Sequence, residues 1–195
     1  MGMYAGHFDF SQRLLWTVPA LYSPAECAAL ASADREWLQA TVNSAAGRVV
    51  EQGVRDSSTA VLRDPALAAE LHRRVLPHVP ARMTVELEGR RSVLDVAGVH
   101  VPVRIYRYEP GQHFGLHQDQ SYFGEDGTKS LLTLMVYLND DFEGGETEFP
   151  EQRETIVPRA GTALLFQHML LHAGTRVRSG VKMVLRSDVL YRPER

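Results

Sequence analysis

The segment RIYRYEPGQHFGLHQDQSY, running from Arg104 to Tyr122, carries an extended run, a Pro-Gly break and then His117-Gln118-Asp119. On an extended segment side chains alternate faces with a period of two, so the His117 imidazole and the Asp119 carboxylate point the same way. One strand end can thus present a nitrogen and an oxygen to a single metal ion. His113, four residues earlier, does not make a helical zinc pair with His117. It follows Pro110-Gly111 on a strand, and no glutamate stands between the two histidines.

A His-x-Asp pair becomes a metal site only when a further ligand joins it. The segment Gly161 to Tyr191, GTALLFQHMLLHAGTRVRSGVKMVLRSDVLY, offers His168 and His172. Two histidines and a carboxylate on one face of an octahedron leave three positions open, which suits a ferrous ion that takes a bidentate 2-oxo acid and then dioxygen. Spacing favours His172, because Lys182 follows it by ten residues at the start of an apolar strand. A buried ammonium there is costly unless an anion pairs with it, and the far carboxylate of a 2-oxo diacid is such an anion. A pairing with Asp or Glu, or a place at a sheet edge, is the other reading of Lys182.

The chain has 195 residues, 44% of them apolar and 23% charged, as in a single globular domain able to bury a real core. A formal charge of −3 and the lack of any basic run argue against a protein whose task is binding nucleic acid. Lys129 and Lys182 are the only lysines. Cys27, the single cysteine, cannot form an internal disulfide and reads as a buried structural thiol in an alanine-rich helix. No stretch reads as a leader or a membrane span, and the expected compartment is the reducing cytoplasm.

Leu14 to Leu21 is apolar and extended. Ser23-Pro24-Ala25-Glu26 is a capping box with proline at the first helical position, and predicts a helix from Pro24 to about Gln39 that packs on a sheet. Thr41 to Thr59 reads as short strands with turns at Ala46-Gly47 and Gln52-Gly53, followed by the polar knot Arg55-Asp56-Ser57-Ser58. Asp64-Pro65 opens a second helix to about Val75, with His72 and His78 at its end. From there the pattern changes to strands at Met83–Leu87, Val99–Tyr108, Leu131–Leu138, Thr147–Phe149, Glu154–Val157, Ala163–Phe166 and Met183–Tyr191. The expected class is mainly β with N-terminal helices (α+β), a jelly roll in one domain spanning 1–195. Within it, 1–98 gives helical support and outer strands, and 99–191 the metal-binding core.

These pieces, in order, resemble the prolyl-4-hydroxylase-like branch of the Fe(II)/2-oxoglutarate-dependent dioxygenases. The resemblance rests on Tyr108-x-Pro-Gly-x-x-Phe114-x-x-His117-x-Asp119, Leu134-x-x-Tyr137-Leu138-Asn139-Asp140 and Phe142-x-Gly144-Gly145-x-Thr147-x-Phe149. It continues through Pro158-x-x-Gly161-x-Ala163-Leu164-Leu165-Phe166 and His172-x-Gly174-x-x-Val177-x-x-Gly180-x-Lys182 to Leu185-Arg186-x-Asp188-Val189-x-Tyr191. It covers about residues 103–191. What it implies is a double-stranded β-helix holding Fe(II) on His117, Asp119 and His172. Lys182 would take the distal carboxylate of 2-oxoglutarate, and Tyr108 and Tyr137 would reach the same cosubstrate. O2 would be the oxidant and ascorbate a reductant. The implied reaction releases succinate and CO2 and hydroxylates a C–H bond; a carboxylate at Asp119 favours hydroxylation over halogenation. Gly144, Gly145, Pro158 and Gly161 read as turn formers, and His168 as a hydrogen-bonding neighbour of the site rather than a ligand.

For the substrate, a prolyl or peptidyl residue and a free amino acid or small metabolite both fit. Tyr122 on the loop Gln120–Lys129, Arg55 in the polar knot, and Arg186 on the face of Lys182 are the candidate substrate contacts, Arg186 pairing with a buried carboxylate as its other reading. No nucleic-acid or membrane partner is expected, and the residues leave the oligomeric state open. The rival from another class is a non-catalytic, metal-binding, cupin-like jelly roll.

Overall fold

The computed structural model describes residues 8–193 except 45, 46, 50, 52, 88 and 89. Two antiparallel sheets make the fold. The larger runs in the order Leu15–Val18, Ala163–Gln167, Lys129–Tyr137, Lys182–Pro193, Val103–Tyr108, Ser58–Leu62 and Leu38–Gln39. A hairpin, Arg82–Leu87 with Arg90–Val99, joins it along the far half of Lys182–Pro193. The smaller sheet runs Glu154–Ile156, Thr147–Phe149, His172–Gly174, His113–His117 and Arg55–Asp56. This is the double-stranded β-helix, or jelly roll. Strands from before residue 98 enter both sheets.

Period-two alternation sorts the large sheet into two faces. On Lys182–Pro193, Leu185, Val189 and Tyr191 turn outward, with Leu132, Leu134 and Val136 of Lys129–Tyr137 and Val103 and Ile105 of Val103–Tyr108. They form the main core with Cys27, Ala68, Leu71 and Val75 of the helices Pro24–Ser32 and Pro65–Val75. The opposite parity faces inward: Tyr137, Leu164, Phe166 and Val184 meet Phe149 of the small sheet in a second cluster. Further along that same inner face come Tyr106 and Tyr108, and then Lys182, Arg186 and Asp188, whose side chains line a cavity.

Both helix starts follow the expected chemistry. Ser23 and Glu26 close a reciprocal capping box, and the Asp64 carboxylate accepts from the amides of Ala66 and Leu67. Cys27 is fully buried. Other boundaries differ from expectation. The first helix stops at Ser32, not near Gln39. There the Arg35 guanidinium turns back onto the carbonyls of Leu30 and Ala33, and Leu38–Gln39 is drawn into pairing with Ser58–Thr59. Sheet pairing outweighs the helical preference of Glu36 to Leu38. The single strand expected over Val99–Tyr108 is two, parted by a turn with a cis Val101-Pro102 bond. Arg90–Val99 was not expected as a strand, because its opening charges and Gly98 hide it; Asp95 is matched across the hairpin by Arg82 at 2.8 Å. The turns at Ala46-Gly47 and Gln52-Gly53 involve Ala46 and Gln52, which lie outside the described residues.

Gly161 shows how tightly the N-terminal segment is tied to this frame. Its φ is 79°, and a Cβ there would sit 2.0 Å from the Tyr22 carbonyl oxygen, so glycine is required. Its amide donates to Tyr137 and its carbonyl accepts from Tyr22.

Leu134 is completely buried, whereas Val157 is 55% exposed. Leu134→Ala is expected to lower unfolding free energy by about 3 kcal/mol in urea titrations, and Val157→Ala to change it by less than about 0.5 kcal/mol.

Candidate active site

The small sheet brings two histidines together by register: His117 at the end of His113–His117 is the cross-strand partner of His172. Just beyond the strand, the Asp119 amide is held by the His168 carbonyl at 3.1 Å. His117, Asp119 and His172 each offer a ligand atom, all within 4.8 Å of one another. The ring orientations are fixed from behind. His117 Nδ1 bonds to the Gly115 carbonyl at 2.8 Å and His172 Nδ1 to the Leu170 carbonyl at 2.9 Å, each as donor. Both Nε2 atoms are thereby left as acceptors facing Asp119, at 3.7 and 3.8 Å. Phe114 stacks on His117 with ring centroids 3.5 Å apart, and Phe166 meets His172 edge-on at 4.5 Å.

Charge is arranged to match. Burial, with His172 alongside, pushes His117 down to about 3; burial also lowers His172, so both rings are neutral at pH 7. Burial alone would raise Asp119, but the Arg186 guanidinium, and then His172 and His117, hold it well below the usual carboxylate range. Two neutral imidazole nitrogens and an ionised carboxylate converging from one side fit a divalent ion such as Fe(II) with open positions.

Asp119 is also fixed on its far side. Arg186 Nη2 lies 3.0 Å from Oδ1, and Thr133 Oγ1 donates to Oδ2 at 2.5 Å. Arg186 reaches Asp188 as well, at 3.2 Å. Thr133 in turn meets His168 Nδ1 at 2.9 Å, and His168 Nε2 meets Ser130 Oγ at 2.9 Å. Both ring nitrogens of His168 are thus occupied within the wall, apart from the ligand cluster.

A cavity of about 450 Å³ opens over these groups. Lys182 lines it, only 4% exposed, opposite Tyr108 across the sheet. Its ammonium donates to the Gly145 carbonyl at 2.6 Å and has no carboxylate in ion-pair contact among the described residues. Burial lowers it to about 8, opposed by the more distant Glu146. A buried ammonium with one neutral acceptor fits a carboxylate ligand such as the distal end of 2-oxoglutarate. Gly145 makes the space, since a Cβ there would stand 2.9 Å from Lys182 Cδ.

Of the other candidates, Tyr108, Arg55, Arg186 and Tyr122 also line the cavity, Tyr122 at its rim against His100. Tyr137 does not: fully buried, it hydrogen-bonds Thr147 at 2.8 Å, and Thr147 faces the cavity in its place. Thr147, Tyr106 and Thr133 were not singled out by sequence. For Tyr106 the signal was strand parity, shared with Tyr108.

Residues 103–187 match the family model described as the 2OG-Fe(II) oxygenase superfamily. The Arabidopsis thaliana protein named prolyl 4-hydroxylase 1 is 31% identical over 82% of this chain and 62% of its own length. A putative prolyl 4-hydroxylase of Acanthamoeba polyphaga mimivirus is 33% identical over 42% of this chain and 41% of its own length. The chain thus spans less than two thirds of either relative. In fold it is similar to the viral collagen prolyl hydroxylase of Paramecium Bursaria Chlorella virus-1, solved as a 2OG complex. The TM-score is 0.60 at 21% identity, covering 93% of this chain and 98% of the other. Residues 103–187 thus match the 2OG-Fe(II) oxygenase superfamily, the chain is similar in sequence and fold to proteins named prolyl 4-hydroxylase, and its His-Asp-His cluster is a donor set that fits Fe(II).

Proposed function

We propose that this chain is a hydroxylase in which 2-oxoglutarate and O2 are consumed, one oxygen atom entering succinate as CO2 leaves and the other entering a substrate C–H bond. The observation that carries it is the presence of a His117, Asp119 and His172 cluster and a buried Lys182 on the walls of one cavity. Fe(II) with bound 2-oxoglutarate supplies the activation of O2 and the hydrogen abstraction. The chain supplies the rest. His117 and His172 offer Nε2, and Asp119 a carboxylate already ionised by Arg186. Lys182 orients the cosubstrate by its far carboxylate, and Tyr108 and Thr147 shape the pocket, Thr147 being held by Tyr137. Arg186 is better suited to positioning Asp119 than to meeting substrate, because its guanidinium is shared between Asp119 and Asp188. A cupin-like binding module would have no use for a buried, carboxylate-free lysine beside its metal. The substrate is a prolyl or peptidyl residue, or a small amino acid or metabolite. Among the described residues no helix is long and apolar enough to cross a membrane. The free buried thiol of Cys27 suits the cytoplasm.

The test is anaerobic titration of the metal-free protein with Fe(II) and then 2-oxoglutarate. The weak visible charge-transfer band of a chelated 2-oxo acid is expected, with loss of the band in His172→Ala and in Asp119→Ala. Iron binding without that band overturns the reading.

Lys182→Ala is expected to raise the dissociation constant of 2-oxoglutarate by about 30-fold, equivalent to about 2 kcal/mol for a buried charge pair. Because only the ammonium pairs with the carboxylate, and burial brings Lys182 down to about 8, affinity should be flat below that pH. Above it, affinity should fall about tenfold per unit as the free protein loses the proton. A dependence without a break near that value in the wild type, or with the same break in Lys182→Ala, removes Lys182 from the cosubstrate site.

A further inference from the structure

Arg55 differs from Arg186 and Lys182, two other cations on the cavity wall. Arg186 is matched by two carboxylates and Lys182 is placed for the cosubstrate. Arg55 has no carboxylate in ion-pair contact among the described residues, although it is only 9% exposed and lines the cavity. Its strand, Arg55–Asp56, pairs with His113–His117 and sets Arg55 directly opposite Phe114. The guanidinium lies between two rings, 4.1 Å from the Tyr106 centroid and 4.2 Å from that of Phe114. Phe114 is itself stacked on the ligand-bearing His117. The phenols of Tyr106 and Tyr108 lie near the guanidinium, and Nε is buried without a hydrogen-bond partner.

Such a group is expensive to keep. A buried cation is tolerated when an anion meets it, and stacking between rings recovers only part of the lost hydration. The stack also holds the plane of the fork, the geometry that suits a carboxylate. A peptidyl residue reaching the iron would bring no charge to this wall, whereas a free acid would.

We propose that Arg55 anchors the carboxylate of the substrate, and that the substrate is a small free acid of the amino- or imino-acid class rather than a residue within a peptide. This rests on the oxygenase reading above. Lys182 and Arg55 then divide two carboxylates between them: the cosubstrate's distal group lies against the Gly145 side, and the substrate's lies against the Tyr106 and Phe114 side.

The experiment uses the full chain loaded with Zn(II) and saturated with 2-oxoglutarate. Saturation-transfer NMR is recorded against the common L-amino acids including L-proline, against their primary amides, and against an N-acetylated, C-amidated prolyl tripeptide. At least one free acid is expected to bind, with its amide at least tenfold weaker. Arg55→Met keeps the bulk between the rings and removes the charge; it is expected to lose the acid at least tenfold more than it loses 2-oxoglutarate. Arg55→Lys should recover part of the acid binding, which a purely packing role for the guanidinium would not produce.

The proposal is overturned if acids and amides bind alike, if none of the acids binds, or if the tripeptide is preferred. It is overturned too if the Arg55→Met loss falls equally on 2-oxoglutarate. Failure of 2-oxoglutarate itself to bind the wild-type protein would instead strike the oxygenase reading, so the two failures are distinguishable in one sample.

Discussion

The Asp119 carboxylate is where the two sheets converge. From the large sheet, Arg186 approaches one oxygen at 3.0 Å and Thr133 donates to the other at 2.5 Å. From the small sheet, His117 and His172 stand 3.7 and 3.8 Å away. A carboxylate this deep is costly unless its charge is answered, and an arginine fork with a hydroxyl answers it while fixing its orientation. Metal binding then meets a ligand already ionised, with no proton to displace from it. The remaining wall follows from this pair: Arg186 must sit on the inner parity of Lys182–Pro193, which commits Lys182, Val184 and Asp188 to the same side.

That parity explains what could be read from the chain and what could not. His117, Asp119 and His172 were legible because motif spacing and period two act over a few residues, and the helix starts at Ser23 and Asp64 because caps are local chemistry. Parity placed Arg186 on the face of Lys182, but it assigns a side and not a partner; whether the guanidinium met substrate or Asp119 depended on how two distant strands come together. Tyr137 illustrates the reverse. Its phenol lies on the inner face but bonds to Thr147 of the opposing sheet, which lines the cavity, a relation between residues ten apart but on different sheets. The helix end at Ser32 and the strand Arg90–Val99 were hidden for the same reason, since partners elsewhere in the chain determined them.

The division of labour between the sheets is also chemical. The small sheet contributes neutral nitrogens backed by aromatic rings, together with the Arg55 guanidinium, and the large sheet contributes the charges of Arg186 and Lys182. Aromatic packing around His117 and His172 excludes water from the imidazoles and keeps them uncharged, while Arg186 and Lys182 of the large sheet are held by two carboxylates and by Gly145, and Arg55 of the small sheet by two rings. A ligand entering the cavity therefore meets groups that have little rotamer freedom left to lose.

The two tryptophans, Trp16 and Trp37, both pack against the helix-side core, with the Trp16 indole hydrogen-bonded to the His78 carbonyl. The cavity is instead lined by tyrosines, among them Tyr106 and Tyr108. Both indoles therefore stand apart from the metal ligands, so their emission reports the packing of the outer layer, and folding can be followed without placing a label at the site.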